Sequence, residues 1–254
     1  MTDEHVPPEK LGGRPLVLTC KRCNNRAGHK LEAEMEKLDA RIAFNKGRFR
    51  RPLRMKVRAW GSTLRVAGSG DHTGLNLHLQ TKRNNPADVE IHLARLEEIN
   101  RDPLRRLEFG LAFDERVNLT AAHKGWFRAG YLVAFAALGY RYAFHPQVKR
   151  LVASLESDDA SLDGYVFMDA SQSLPPEQLL GIREPASLID HLAISFGRCA
   201  VILPGRRDED PALAENLKEL REIGGGVDLN GRLFQWPREP QLRLDFIESG
   251  LSGD

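Results

Sequence analysis

A chain of 254 residues, 41 % hydrophobic and 28 % charged, is long enough to bury the core of one large or two modest domains. It contains no run of about 18 apolar residues, which excludes a membrane-spanning helix, and its three cysteines are too few for a disulfide framework. The net charge of +2 conceals a division, because residues 1–150 carry 28 Lys and Arg against 16 Asp and Glu, whereas residues 151–254 carry 9 against 19. The start, Met-Thr-Asp-Glu-His, has neither the basic residues nor the apolar core of a secretory signal, so a reducing, cytoplasmic setting is expected.

In chain order, an irregular start leads to a short strand at Pro15–Thr19 and then to a helix. Cys23, Ala27, Leu31, Met35, Leu38 and Ile42 recur at steps of three or four and form one apolar stripe. Thr19 suits the N-cap of this helix, and Asn45 with Gly47 its stop. Residues 46–116 read mainly as strands: Leu53–Ala59 and Thr63–Ala67 flank a turn at Gly61-Ser62, and Leu75–Leu79 alternates as a half-buried strand does. Asp88–Asn100 reads as a short helix and Gly68–Gly74 as a turn. From about Asn118 a long helix is expected, whose Ala121, Ala122, Gly125, Ala129 and Gly130 allow a neighbouring element to approach closely, as a central core helix requires. The acidic half returns to strands at Tyr165–Met168, His191–Ser195 and Cys199–Leu203, around a helix at Pro211–Ile223. Strand runs and helix runs without regular alternation give an α+β fold. The expected division places a small N-terminal unit at 1–45 and a larger α+β body at 46–254.

Residues 41–70 hold nine Lys and Arg and no acid. Clustered cations make either a solvated surface or a polyphosphate site, since binding a nucleic-acid backbone releases its counterions. Phe49, Met55 and Trp60 among them favour a folded surface over a tail. Arg22, Arg26 and Lys30, each four apart, add a cationic stripe on the first helix, with Lys21 beside it.

The opening stretch holds the most chemistry. Glu4 offers a hard oxygen ligand to a divalent cation, and His5 has the pKa of a general base at neutral pH. In an extended strand the two side chains diverge, one toward a metal and the other toward the attacking water. Asn24, near the start of the helix, is the candidate second ligand, and Gly28, four residues on, would leave room beside it. Cys20 and Cys23 form a CxxC that suits either a buried helix start or half of a zinc site, because a closed site takes four ligands.

The order Glu-His, Pro, Leu-Gly-Gly, Leu-Val-Leu, Cys-x-x-Cys-Asn-Asn, Gly resembles the HNH endonucleases, whose ββα-metal finger is built from this succession. The resemblance covers roughly residues 3–35. It implies Glu4 and Asn24 as ligands of a divalent metal (Mg2+ or Mn2+), His5 as general base, and Gly12 and Gly13 in the loop between the finger's strands. Many members carry another CxxC before Glu-His that completes a structural Zn2+ site. Here only three residues precede Glu4, so a longer natural N-terminus is expected. Gly125–Tyr142 resembles the body that follows such fingers in some bacterial HNH proteins. The function implied is metal-dependent hydrolysis of DNA, with Lys21, Arg22, Arg26, Lys30, Arg48, Arg50, Arg51 and Arg54 on the backbone. Cutting both strands with a single finger would call for a homodimer. The alternative is a non-catalytic DNA- or partner-binding protein with a degenerate finger.

Overall fold

A computed structural model of the chain describes residues 1–45, 49–71, 74–101, 109–157, 162–168, 178–182, 191–205 and 232–235. It is an α+β protein whose strands pair antiparallel throughout. Contacts divide it elsewhere than at 45/46: one compact unit joins Met1–Glu36 to Asn118–Asp254, and the other is Lys37–Val117.

The first unit opens on a hairpin, β1 (Thr2–Val6) against β2 (Arg14–Thr19). The connection includes a 3₁₀ turn at Glu9–Leu11, closed by Gly12 at φ +92° with its N–H on the Glu9 carbonyl. Gly13 is required for a different reason, since a Cβ there would lie 1.4 Å from the Pro7 carbonyl oxygen. Gly13→Ala is therefore expected to cost about 1–3 kcal/mol, read as a lowered melting temperature; an unchanged melt would show that the loop relaxes freely.

A helical stretch follows: α1 (Lys21–Ala27), a π-helical turn at Gly28–Glu32, and α2 (Ala33–Asn45). Its N-cap is Cys20, not Thr19. The Cys20 carbonyl accepts the Asn24 N–H at 3.0 Å and its Sγ accepts the Cys23 N–H at 3.1 Å. The Thr19 hydroxyl donates instead to Glu4. Cys23 is exposed and leaves the apolar stripe, while Met35 and Leu38 are buried as the period requires.

The expected core helix is present as α4 (Leu119–Leu138), capped by Asn118, whose Oδ1 accepts the Ala121 N–H. Its glycines are close-approach sites. A Cβ on Gly125 would meet Met35 Sδ at 2.3 Å, and one on Gly130 would meet Val201 Cγ1 at 2.7 Å. Thus α4 packs on the π turn at one side and on a sheet at the other. That sheet runs β11-β8-β9-β10-β7, from β7 (Val166–Met168), β8 (Gln178–Ile182), β9 (His191–Ser195), β10 (Cys199–Pro204) and β11 (Arg232–Gln235). β10 is buried along its whole length, which explains its unbroken apolar sequence. Between α4 and β7 lie α5 (Tyr140–Ala143) and α6 (Pro146–Ser154). The helix expected at Pro211–Ile223 lies outside the described residues.

The second unit is a four-stranded sheet, β5-β4-β3-β6, with α3 (Pro86–Arg101) against β4. Its strands are β3 (Phe49–Ala59), β4 (Ser62–Asp71), β5 (Gly74–Leu79) and β6 (Gly110–Phe113). Met55, Val57, Leu64 and Val66 form its core. The hairpin turn falls at Trp60-Gly61, both at positive φ, one residue earlier than expected. The supposed turn at Gly68–Gly74 is strand as far as Asp71. His92 of α3 is buried against Trp60, ring centroids 5.0 Å apart, with Nε2 2.6 Å from Ser62 Oγ. Burial holds its imidazole below the ordinary pKa. The unfolded chain then takes up the proton first, so stability is full above about pH 6.5 and declines as pH falls through the lowered folded value. Urea midpoints should fall below that pH and lose this slope in His92→Gln; an equal slope in the variant would remove His92 from the account.

Candidate functional site

Thr2, Glu4 and Val6 share one face of β1, and Val6 belongs to the core, so Glu4 is carried inward with it to 2 % exposure. A buried carboxylate needs partners. Oε1 lies 2.5 Å from an Arg128 guanidinium nitrogen, and Oε2 accepts the Thr19 hydroxyl at 3.0 Å. Thr19 comes from the paired strand and Arg128 from α4.

Beside Glu4 the hairpin register slips: Glu4 pairs with Val17 and His5 with Pro15, leaving Leu16 as the extra residue. Proline has no N–H to give the ladder, and a bulge re-aims neighbouring side chains. The extra residue is on β2, so Glu4 and His5 still alternate along β1, Glu4 buried and His5 half-buried. Both contribute to the wall of one niche of about 10 Å³, room for a single water or small ion. Glu32 and Arg128 belong to the same wall. Burial first, and then the Glu4 charge, raises the Glu32 carboxyl above its ordinary value, with Arg128 opposing.

Asn24 straps α1 to the open end of β1: its Nδ2 donates to Thr2 Oγ1 at 3.1 Å and to the Asp3 carbonyl at 3.2 Å. That leaves Oδ1 as the atom able to face a cation. The Glu4 carboxylate and the Asn24 amide oxygen are hard donors of the kind that magnesium and manganese take. In this structure Thr19 and Arg128 engage both Glu4 carboxylate oxygens, and Asn24 is not among the residues of the niche wall.

The thiols do not fit structural zinc. Among the described residues no group of three His, Cys, Asp or Glu is placed to hold a metal. Cys20 and Cys23 are exposed, and Cys199, a candidate to join them, is buried in the core on β10. The Cys23 thiol and N–H both donate toward Cys20, which lowers the Cys20 pKa and raises that of Cys23.

From Arg128 a groove of about 1610 Å³ opens between the first helix and α4 with α6. Arg22 and Lys30 stand on one side with Glu34, and Lys124, Arg128 and Lys149 on the other with Glu156, so cations outnumber acids in the wall. Of the cations expected on a nucleic-acid backbone, Arg22 and Lys30 are therefore brought together, and Lys21 is exposed on α1. Arg48 and the side chains of Arg26, Arg50 and Arg51 lie outside the described residues. Arg54 belongs to the second unit, exposed and 3.6 Å from Glu115. There the acid-free run finds acids from beyond β6: Lys56 pairs with Asp114 at 2.9 Å, and Arg83 reaches the same carboxylate. These contacts, Lys56 first, hold the Asp114 carboxyl below its ordinary value.

Sequence reasoning missed Arg128, Thr19 and Glu32, and with them Lys124, Tyr131 and Lys149 in the groove. Arg128 had a readable signal. It is the single charge between Gly125 and Tyr140, in a stretch otherwise apolar, small or aromatic, and a charge so placed needs a partner. Among the described residues no helix is long and apolar enough to cross a membrane. No family model, curated protein or solved structure matches this chain.

Proposed function

We propose that the hairpin and first helix form a ββα-metal finger of the HNH type and that the chain hydrolyses phosphodiester bonds in DNA. One observation carries this: Glu4 and His5 share the wall of a niche sized for one water or ion, and Arg128 of that wall also lines a groove of cations. His5 accepts the proton of a water at the niche, the role for which an imidazole is suited near neutral pH. Arg22, Lys30 and Lys149 hold the backbone without reading sequence. Glu4 and Asn24 would hold a magnesium or manganese ion, which when bound would neutralise charge at the phosphate. Arg128 must leave Glu4 for that ion to bind, and the guanidinium so released sits at the head of the groove, where a phosphate would lie.

A second reading is favoured by the same contact. The Arg128–Glu4 pair neutralises the carboxylate with no metal at all, as in a DNA-binding protein whose finger has lost its chemistry. Supercoiled plasmid separates the two. Conversion to nicked or linear product in magnesium or manganese supports the nuclease. Salt-sensitive retardation of DNA, with no product under any divalent metal, gives the binding protein.

A further inference from the structure

At the end of α4 the groove continues into a row of aromatic rings. Tyr131, in the groove wall, stacks on Phe135 with centroids 6.4 Å apart and planes 23° from parallel. Phe135 meets Tyr140 edge to face at 5.2 Å, and Tyr140 stacks on Phe144 at 6.0 Å and 21°. The row leads outward: Tyr131 and Phe135 are half-buried, whereas Tyr140 and Phe144 are each 70 % exposed. Their neighbours behave otherwise, with Trp126, Phe127 and Tyr142 all buried in the core. Leaving two large rings in water is unfavourable unless something covers their faces.

We propose that this row is a stacking platform for an unpaired stretch of nucleic acid, whose backbone enters the cationic groove. Bases in a duplex stack on one another and offer only their edges, whereas an unpaired base has a free π-face, and every base has one. Cations and stacked rings along one path are the combination that single strands select, and Lys149 shares the groove wall with Tyr131, the first ring of the row. The occupant is thus a flap, gap or displaced strand, not a continuous duplex. The proposal rests on the groove as the route of the backbone, but not on hydrolysis.

The test is binding in chelator, where cleavage plays no part. Fluorescence anisotropy would compare a labelled oligo-dT with a blunt DNA hairpin of similar length. We expect the single strand to bind at least about 10-fold more tightly. Replacing both outer rings (Tyr140→Leu with Phe144→Leu) keeps apolar bulk and removes the π-faces. It should weaken single-strand binding by about 10-fold per ring and leave the hairpin's affinity unchanged. Tyr140→Trp should retain it, and because both rings are exposed, the variants' melting temperatures should match the parent. Equal affinity for the two probes overturns the platform. So does undiminished single-strand binding by the Leu variant, or an effect confined to sedimentation mass, which would make the rings a contact between copies of this chain. Absence of nicking in magnesium would leave the platform standing and remove only the nuclease.

Discussion

Arg128→Leu is expected to be among the most destabilising single changes in the chain, costing about 3–5 kcal/mol. The Glu4 carboxylate is almost wholly out of water, and Arg128 is the opposite charge bonded to it. Removing the guanidinium leaves one hydroxyl, from Thr19, against a buried negative charge, with the half-buried Glu32 nearby. The Glu32 carboxyl, already raised by burial, also loses the positive charge that opposes that shift. Glu4→Gln in the same chain should recover much of the loss, because an amide tolerates the site uncharged. Urea denaturation of the two single variants and the double variant measures the coupling directly. If Arg128→Leu unfolds at the parent's midpoint, the pair is not the anchor of the hairpin. Manganese adds a second readout: at about 100 times its dissociation constant an ion bound only by the folded chain stabilises by about 2.7 kcal/mol. At one manganese concentration for both proteins the gain should be greater in Arg128→Leu than in the parent, where the ion must first displace a guanidinium.

His5→Ala is expected to lower the rate of plasmid nicking by about 100- to 10,000-fold, the range of a lost general base. DNA affinity should not change, since His5 is no part of the cationic groove wall, and the melt should change little for a half-exposed side chain. Nicking that survives the substitution at the parent's rate would take the base's role from His5.

Local pattern was enough for much of the architecture. Short apolar runs marked β7, β9 and β10, alternation marked β5, although that strand is exposed along its length and not half-buried, and the small residues of α4 announced a helix that others approach closely, as Gly125 on Met35 and Gly130 on Val201 show. What local pattern misses is pairing over distance. Glu4 meets Arg128 across 124 residues, and Asp114 and Glu115 neutralise a basic run that contains no acid of its own. The unit boundaries have the same origin, because Met1–Glu36 belongs with a segment that begins at Asn118. The start of the first helix shows the limit at closest range. Thr19, expected as the N-cap, donates instead to Glu4 on the facing strand, and Cys20 takes the cap.

Manganese uptake, followed by the electron paramagnetic resonance of the free ion, tests the centre most directly. The account predicts a single site per chain that is lost in Glu4→Gln, weakened in Asn24→Ala and tightened in a folded Arg128→Leu. Uptake that is the same in all four proteins, or absent from all of them, would contradict it.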